Sequence, residues 1–155
     1  METILAPLPL GTSDFSALRK SGQIYVDKTR LIYTLASKRQ KFFLSRPRRF
    51  GKSLLLSTFE SLFKYGLRDF HGLEIESLWK DENTYQVIRL DFSNLKDFSS
   101  VEEFSELLDQ YLLDTLTVNR LVSPIKTDKE GLRAFIGWLA LQADNSVVLL
   151  LDEYD

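Results

Sequence analysis

"FLSRPRRFGKS", residues 43–53, decides how the rest of the chain is read. Gly51-Lys52-Ser53 closes the phosphate-loop pattern G-x-x-x-x-G-K-[ST]. The opening glycine of that pattern falls at position 46, where this chain has Arg46 followed by Pro47. Glycine serves there because the chain turns through positive φ, which costs a residue with a Cβ about 1–2 kcal/mol. Pro47 changes the geometry. It pushes Arg46 toward extended conformations and contributes no N–H. The loop then opens without a left-handed turn, and its cradle must come from the amides of residues 48–53. Arg48 and Arg49 add charge near a phosphate, grip a neighbouring element or face solvent.

The flanks supply the setting the motif needs. Residues 41–45 read as a strand running into the loop. Leu54, Leu55, Leu56, Phe59, Leu62 and Phe63 mark an apolar helix leaving it and ending near Gly66. A helix N-terminus offers unpaired amides and the positive end of its dipole to an anion. Arg48, Arg49, Phe50, Gly51, Lys52, Ser53 and Leu54 are therefore the nucleotide-binding candidates. Lys52 would reach the β- and γ-phosphates, and the Ser53 hydroxyl would ligate magnesium.

A second motif lies about a hundred residues on. Val147 to Leu151 is an aliphatic run ending in Asp152-Glu153, a Walker B pattern. Such a run is expected of a strand buried on both faces. It carries Asp152 to the sheet's carboxyl edge to complete the metal shell with Ser53, and sets Glu153 to polarise an attacking water as the catalytic residue. The plainer reading is a strand that ends in a polar turn. The two motifs in order, at this spacing, are more specific than either alone.

Composition sets the outer limits. The chain has 155 residues, 44% hydrophobic and 27% charged, which suits a globular domain with a real core. It has no cysteine, which excludes disulfides and thiolate zinc sites and fits a reducing compartment. The N-terminus lacks the basic start and unbroken apolar run of a signal peptide. The longest aliphatic run is too short to span a bilayer. The expectation is a soluble, cytoplasmic protein without a membrane partner. Net charge is −2, but eleven of the twenty basic residues fall between Arg19 and Lys52, beside the single acid Asp27. That asymmetry points to an anion, or to a solvated basic face.

The remaining elements follow from caps and periodicity. Ser13 or Asp14 caps a short helix to Lys20, with Gly22 as its stop. Asp27 caps a helix through about Ser37 that faces inward with Leu31, Ile32 and Leu35. Residues 67–83 are ambiguous, and His71 beside Gly72 reads as a surface turn. Residues 85–92 read as a strand. Ser99 and Ser100, each three residues before a glutamate, give a capping-box signature for a helix with Val101, Phe104, Leu107, Leu108, Tyr111, Leu112 and Leu116 on one stripe. Thr127 or Asp128 caps a further helix with Leu132, Phe135, Ile136 and Leu139 inward. Strands alternating with helices predict an α/β fold with a three-layer, P-loop NTPase-like, mainly parallel sheet. Ligands of such sheets bind at the carboxyl ends of strands. The chain divides into residues 1–40, a helical and extended segment packed on the core, and 41–155, a partial P-loop core.

Four blocks carry a family resemblance: "LGTSDFSALRKSGQIYVDKTRLI" (10–32), "FLSRPRRFGKSLLLSTFESLF" (43–63), "VIRLDFS" (87–93) and "VVLLLDEYD" (147–155). Together they resemble the bacterial AAA-ATPase-like domain family, whose phosphate loop reads R-P-R-R-F-G-K-S. The missing glycine is thus part of the resemblance. It implies ATP and Mg2+ as cofactors, and ATP hydrolysis in a longer parent. It also implies a C-terminal PD-(D/E)XK nuclease-like domain as a partner in that parent. The sheet is expected to be truncated after the Walker B strand, because the next strand and its sensor residue would follow Asp155. In the Tyr25-Val26-Asp27-Lys28-Thr29 block a capping aspartate suffices, while Lys28 or Thr29 near the nucleotide is the functional reading.

The leading expectation is an ATP-binding P-loop module. The alternative is a non-hydrolysing or defunct module that binds nucleic acid or protein through its basic segment. A GTPase is less favoured, since no Asn-Lys-x-Asp motif occurs. Oligomeric state is open.

Overall fold

In the structure, a computed structural model, residues 6–45, 51–121 and 131–153 are described, with Asn94 described by its backbone alone. The expected caps Thr127 and Asp128 lie outside these residues, as do Arg48, Arg49 and Phe50. The chain forms two compact units, residues 1–87 and 88–155.

In the first unit, Asp14 accepts the Ala17 N–H at 2.8 Å and starts α1 (Phe15–Lys20). α2 spans Thr29–Ala36 and α3 spans Lys52–Tyr65. Gly66 ends α3 at positive φ, and a short helix α4 (Ile75–Leu78) follows. Phe15, Ile32, Leu62, Phe70, Ile75 and Trp79 make the core. Each fully buried side chain of this kind stabilises the fold by about 1.5–3 kcal/mol relative to exposure. Leu31 is exposed, so the inward face of α2 is Ile32 and Ala36 rather than the wider expected stripe.

The buried stripe of α3 is polar: Ser57, Thr58 and Ser61 beside Leu62. Short hydroxyls let α1 approach closely and give its N-terminus a partner, since the Phe15 N–H donates to Ser57 Oγ at 2.9 Å. Ser61 donates to the Asp69 carboxylate at 2.8 Å, and Ser16 donates to the same oxygen. Arg68 adds two bonds at 3.0 and 2.8 Å. The Arg68 guanidinium, with the two serines and against the effect of burial, holds the Asp69 carboxyl well below the usual carboxylate range. A depressed folded-state value means stability present above the ordinary 3.8 and lost as pH falls toward the folded value. The Asp69→Asn variant is expected to lose less stability than wild type as pH drops below about 4, measured by denaturant midpoints across pH.

The Tyr25–Thr29 block has a structural task. One Asp27 oxygen accepts the Thr29 N–H and hydroxyl at 2.8 and 2.7 Å, and the other accepts the Glu74 N–H at 2.8 Å. These bonds, with burial opposing them, hold the Asp27 carboxyl below its usual range. Asp27 thus bonds two residues ahead, one position before the residue at the helix cap, Lys28. Thr29, fully buried, accepts the Ile75 N–H at 3.1 Å. Two segments distant in sequence are tied by one aspartate and one threonine.

The second unit is built on two hydrogen-bonded parallel strands, β1 (Gln86–Asp91), whose first two residues fall in the first unit, and β2 (Val147–Asp152). α5 (Val101–Val118) and α6 (Gly131–Ala140) lie between them in sequence. Ser100 caps α5 by accepting the Glu103 N–H at 3.1 Å, and Glu103 reaches back to the Ser99 N–H at 2.7 Å. Ile88 and Leu90 pack with Leu112, Leu116, Phe135 and Trp138. Two expectations change here. Val101 and Leu107 are exposed, so only the C-terminal half of the α5 stripe is core. On α6 the buried face is Gly131, Phe135 and Trp138, while Leu132 and Ile136 are exposed.

Gly131 explains that choice of face. A Cβ there would collide with the backbone carbonyl of Asp109 on α5, whose side chain accepts the Leu132 N–H at 2.9 Å. The α6 N-terminus is thus seated on α5 through its glycine. Gly131→Ala is expected to lower stability by about 1–3 kcal/mol by overpacking. Gly137→Ala, in open space on the same helix, should raise it by about 0.4–1 kcal/mol. Thermal unfolding of both variants checks the pair.

The architecture is mixed α/β. The expected strand at 41–45 is absent: these residues are irregular, with Phe42, Phe43 and Leu44 exposed. A segment apolar on both faces becomes a central strand only where neighbours cover both faces, and here they are bare. β2 is likewise not covered on both faces, since Leu149 and Leu151 are exposed.

Candidate functional site

α3 begins with a backbone device. Gly51 precedes it at φ 74°, ψ 25°, in the left-handed region. A Cβ at Gly51 would meet nothing, so the need for glycine is conformational and not one of space. Gly51 brings no side-chain cap, and the first turn carries no acid. The Leu55 N–H closes the first helical bond to the Gly51 carbonyl at 2.9 Å. Lys52, Ser53 and Leu54 occupy the turn before it, where backbone amides lack helical acceptors by construction. All three are half-buried.

The acidic candidates belong to the second unit. Asp152 is the last residue of β2 and is 4% exposed. Its Oδ2 lies 2.9 Å from an Arg89 guanidinium nitrogen on β1. Glu153 leaves the strand at φ 54°, a left-handed turn unusual for a side-chain-bearing residue. Its carboxylate lies 3.1 Å from Lys96 Nζ. Asp91, at the matching end of β1, accepts the Ser93 N–H at 2.9 Å, and its own N–H donates to the Tyr111 hydroxyl at 2.7 Å. The carboxyl edge of the sheet therefore gathers three acids, two of them paired with cations of the chain.

Arg89 and Lys96 did not emerge from the sequence as part of this edge. Arg89 had a signal: a lone arginine inside the apolar run of "VIRLDFS" requires a counter-ion if its strand is buried. Lys96 had none. His71 is exposed and lies 3.0 Å from Glu76, as a surface turn should. Among the described residues no group of three or more His, Cys, Asp or Glu side chains could hold a metal by itself, and no helix is long and apolar enough to cross a membrane.

The structure thus has a helix opened by a left-handed glycine with Lys-Ser in its first turn, and an aliphatic strand ending in a buried aspartate. Residues 9–155 match the family described as predicted AAA-ATPase, and the chain belongs to that AAA-ATPase-like family. It is also 35% identical over 153 residues to "Uncharacterized protein in vnfD 5'region" of Azotobacter chroococcum mcd 1. That match covers 96% of this chain and 29% of the relative, so the chain spans less than a third of that relative's length. No solved structure matches it.

Proposed function

We propose that the chain is the ATP-binding part of a P-loop ATPase, with Gly51, Lys52, Ser53 and Leu54 holding the phosphates and Arg48, Arg49 and Phe50 completing the loop. The observation that carries this reading is the left-handed Gly51 setting Lys52 and Ser53 into the first turn of α3. Amides and the helix dipole attract the anion there, and the Lys52 ammonium bonds the β- and γ-phosphate oxygens.

Ser53 and Asp152 hold magnesium in this reading. Their chemistry fits, because a metal carried on a triphosphate takes only one or two protein ligands and prefers hard oxygens. Asp152, at the end of β2, supplies such a hard carboxylate oxygen. Bound magnesium offsets charge on the transferring phosphoryl group. Glu153 orients a water and accepts its proton in the longest form of the chain that its gene encodes.

The basic segment is partly spent within the first unit, which favours ATP over a nucleic-acid backbone. Arg30 pairs with Glu74, Arg39 pairs with Asp81 at 3.0 Å, and Arg19 donates to the carbonyls of Asp69 and His71. The test is displacement of a fluorescent ATP analogue. Unlabelled ATP with magnesium should displace it and an oligonucleotide should not. Displacement by the oligonucleotide alone, with a steep salt dependence, would replace this reading with a nucleic-acid-binding module.

A further inference from the structure

The pairing of Asp152 with Arg89 has a consequence for the metal. Asp152 is nearly inaccessible, and one of its oxygens is held at 2.9 Å by a guanidinium from the adjacent strand. A carboxylate this buried requires a cation, and the chain supplies one of its own. The Arg89 side chain is 28% exposed, against 4% for Asp152. Asp91 is engaged with the Ser93 amide, and Glu153 has Lys96. A divalent ion and a guanidinium on one carboxylate repel each other at short range, where the low local dielectric makes the repulsion strong.

We propose that Arg89 is a resident counter-ion of Asp152 that a metal–nucleotide must displace, so that Arg89 sets how much magnesium the site requires. The inference rests on the nucleotide reading of Asp152 given above. Arg89 is a positioning residue here. It holds the carboxylate at the strand end while the metal is away, and yields it when the metal arrives. No bond is made or broken, since one cation replaces another on the same oxygen. The arrangement holds the Asp152 side chain at the strand end without metal, and it opposes metal binding in the absence of a triphosphate.

The test measures the magnesium concentration at half-maximal ATP binding for wild type, Arg89→Met and Arg89→Lys, on the 155-residue chain. Arg89→Met keeps the side chain's reach and removes its charge. Its midpoint is expected to fall about tenfold, while its unfolding temperature without metal drops and recovers more than wild type when magnesium and ATP are added. Arg89→Lys should keep the wild-type midpoint. An unchanged midpoint in Arg89→Met, with lowered stability alone, would make the pair a structural strut and overturn the proposal. If Arg89→Met does not fold, nitrogen resonances of the wild-type Arg89 guanidinium decide. They should shift when magnesium is titrated into the ATP-saturated chain and stay still when ATP is added without metal. Resonances unmoved by both additions defeat the role of Arg89. No ATP binding by wild type, with or without magnesium, defeats the nucleotide reading beneath it.

Discussion

Replacing Lys52 with alanine is expected to weaken ATP binding by about a hundredfold, taking it below ordinary detection. The reason is local. The lysine stands in the first turn of α3, behind a left-handed glycine and with no acid in that turn. Its ammonium would make charge-assisted bonds to phosphate, each worth about 1.5–3 kcal/mol. No other described residue of that turn carries a charge that could replace it. Calorimetric titration of both proteins reads the loss directly. Equal affinity would remove Lys52 from any phosphate site. An unchanged unfolding temperature in the variant assigns the loss to binding and not to folding.

The second large effect is on turnover. Glu153→Gln should keep ATP affinity within a few-fold and lower phosphate release by about 10²–10⁴, the usual contribution of a positioned general base. Glutamine preserves shape and can hold a water, but it cannot take the proton. Glu153 stands one residue past the end of β2 in a left-handed turn, with its carboxylate 3.1 Å from Lys96. The assay belongs to the longest form of the chain that the gene encodes. Undiminished phosphate release in the variant would exclude Glu153 as the base.

What could be read in advance was what short-range chemistry dictates. Asp14 and Ser100 announce their helices because an N-cap bonds within three residues, and both make that bond. Gly66 closes α3 because few other residues adopt its backbone angle. β1 and β2 follow from runs of β-branched and aliphatic residues. The failures involve partners far along the chain. The apolar residues of α3 do meet the core at Leu62, but Ser57, Thr58 and Ser61 are buried beside it, because α1 and Asp69 meet the helix there. Periodicity on α6 allows two overlapping faces, and the close seat of Gly131 on Asp109 selects one of them. Residues 41–45 have the composition of a strand, but composition does not supply the neighbours that strand pairing requires.

The site divides in the same way. The start of α3 behind Gly51 and the end of β2 at Asp152 were legible as positions, because each pattern is local. The Arg89 partner of Asp152 is sixty-three residues away in sequence, and only the strand pairing brings it near. A charged residue in an apolar strand shows that some partner exists, and the fold says which.

Whether the first turn of α3 binds the phosphates of a metal–triphosphate is tested most directly with manganese in place of magnesium, bound with ATP to isotope-labelled protein, through paramagnetic broadening of amide resonances. Gly51 to Leu54 are expected to broaden, and only when ATP is present. Amides of that turn left sharp in the presence of manganese and ATP would contradict the phosphate-binding role.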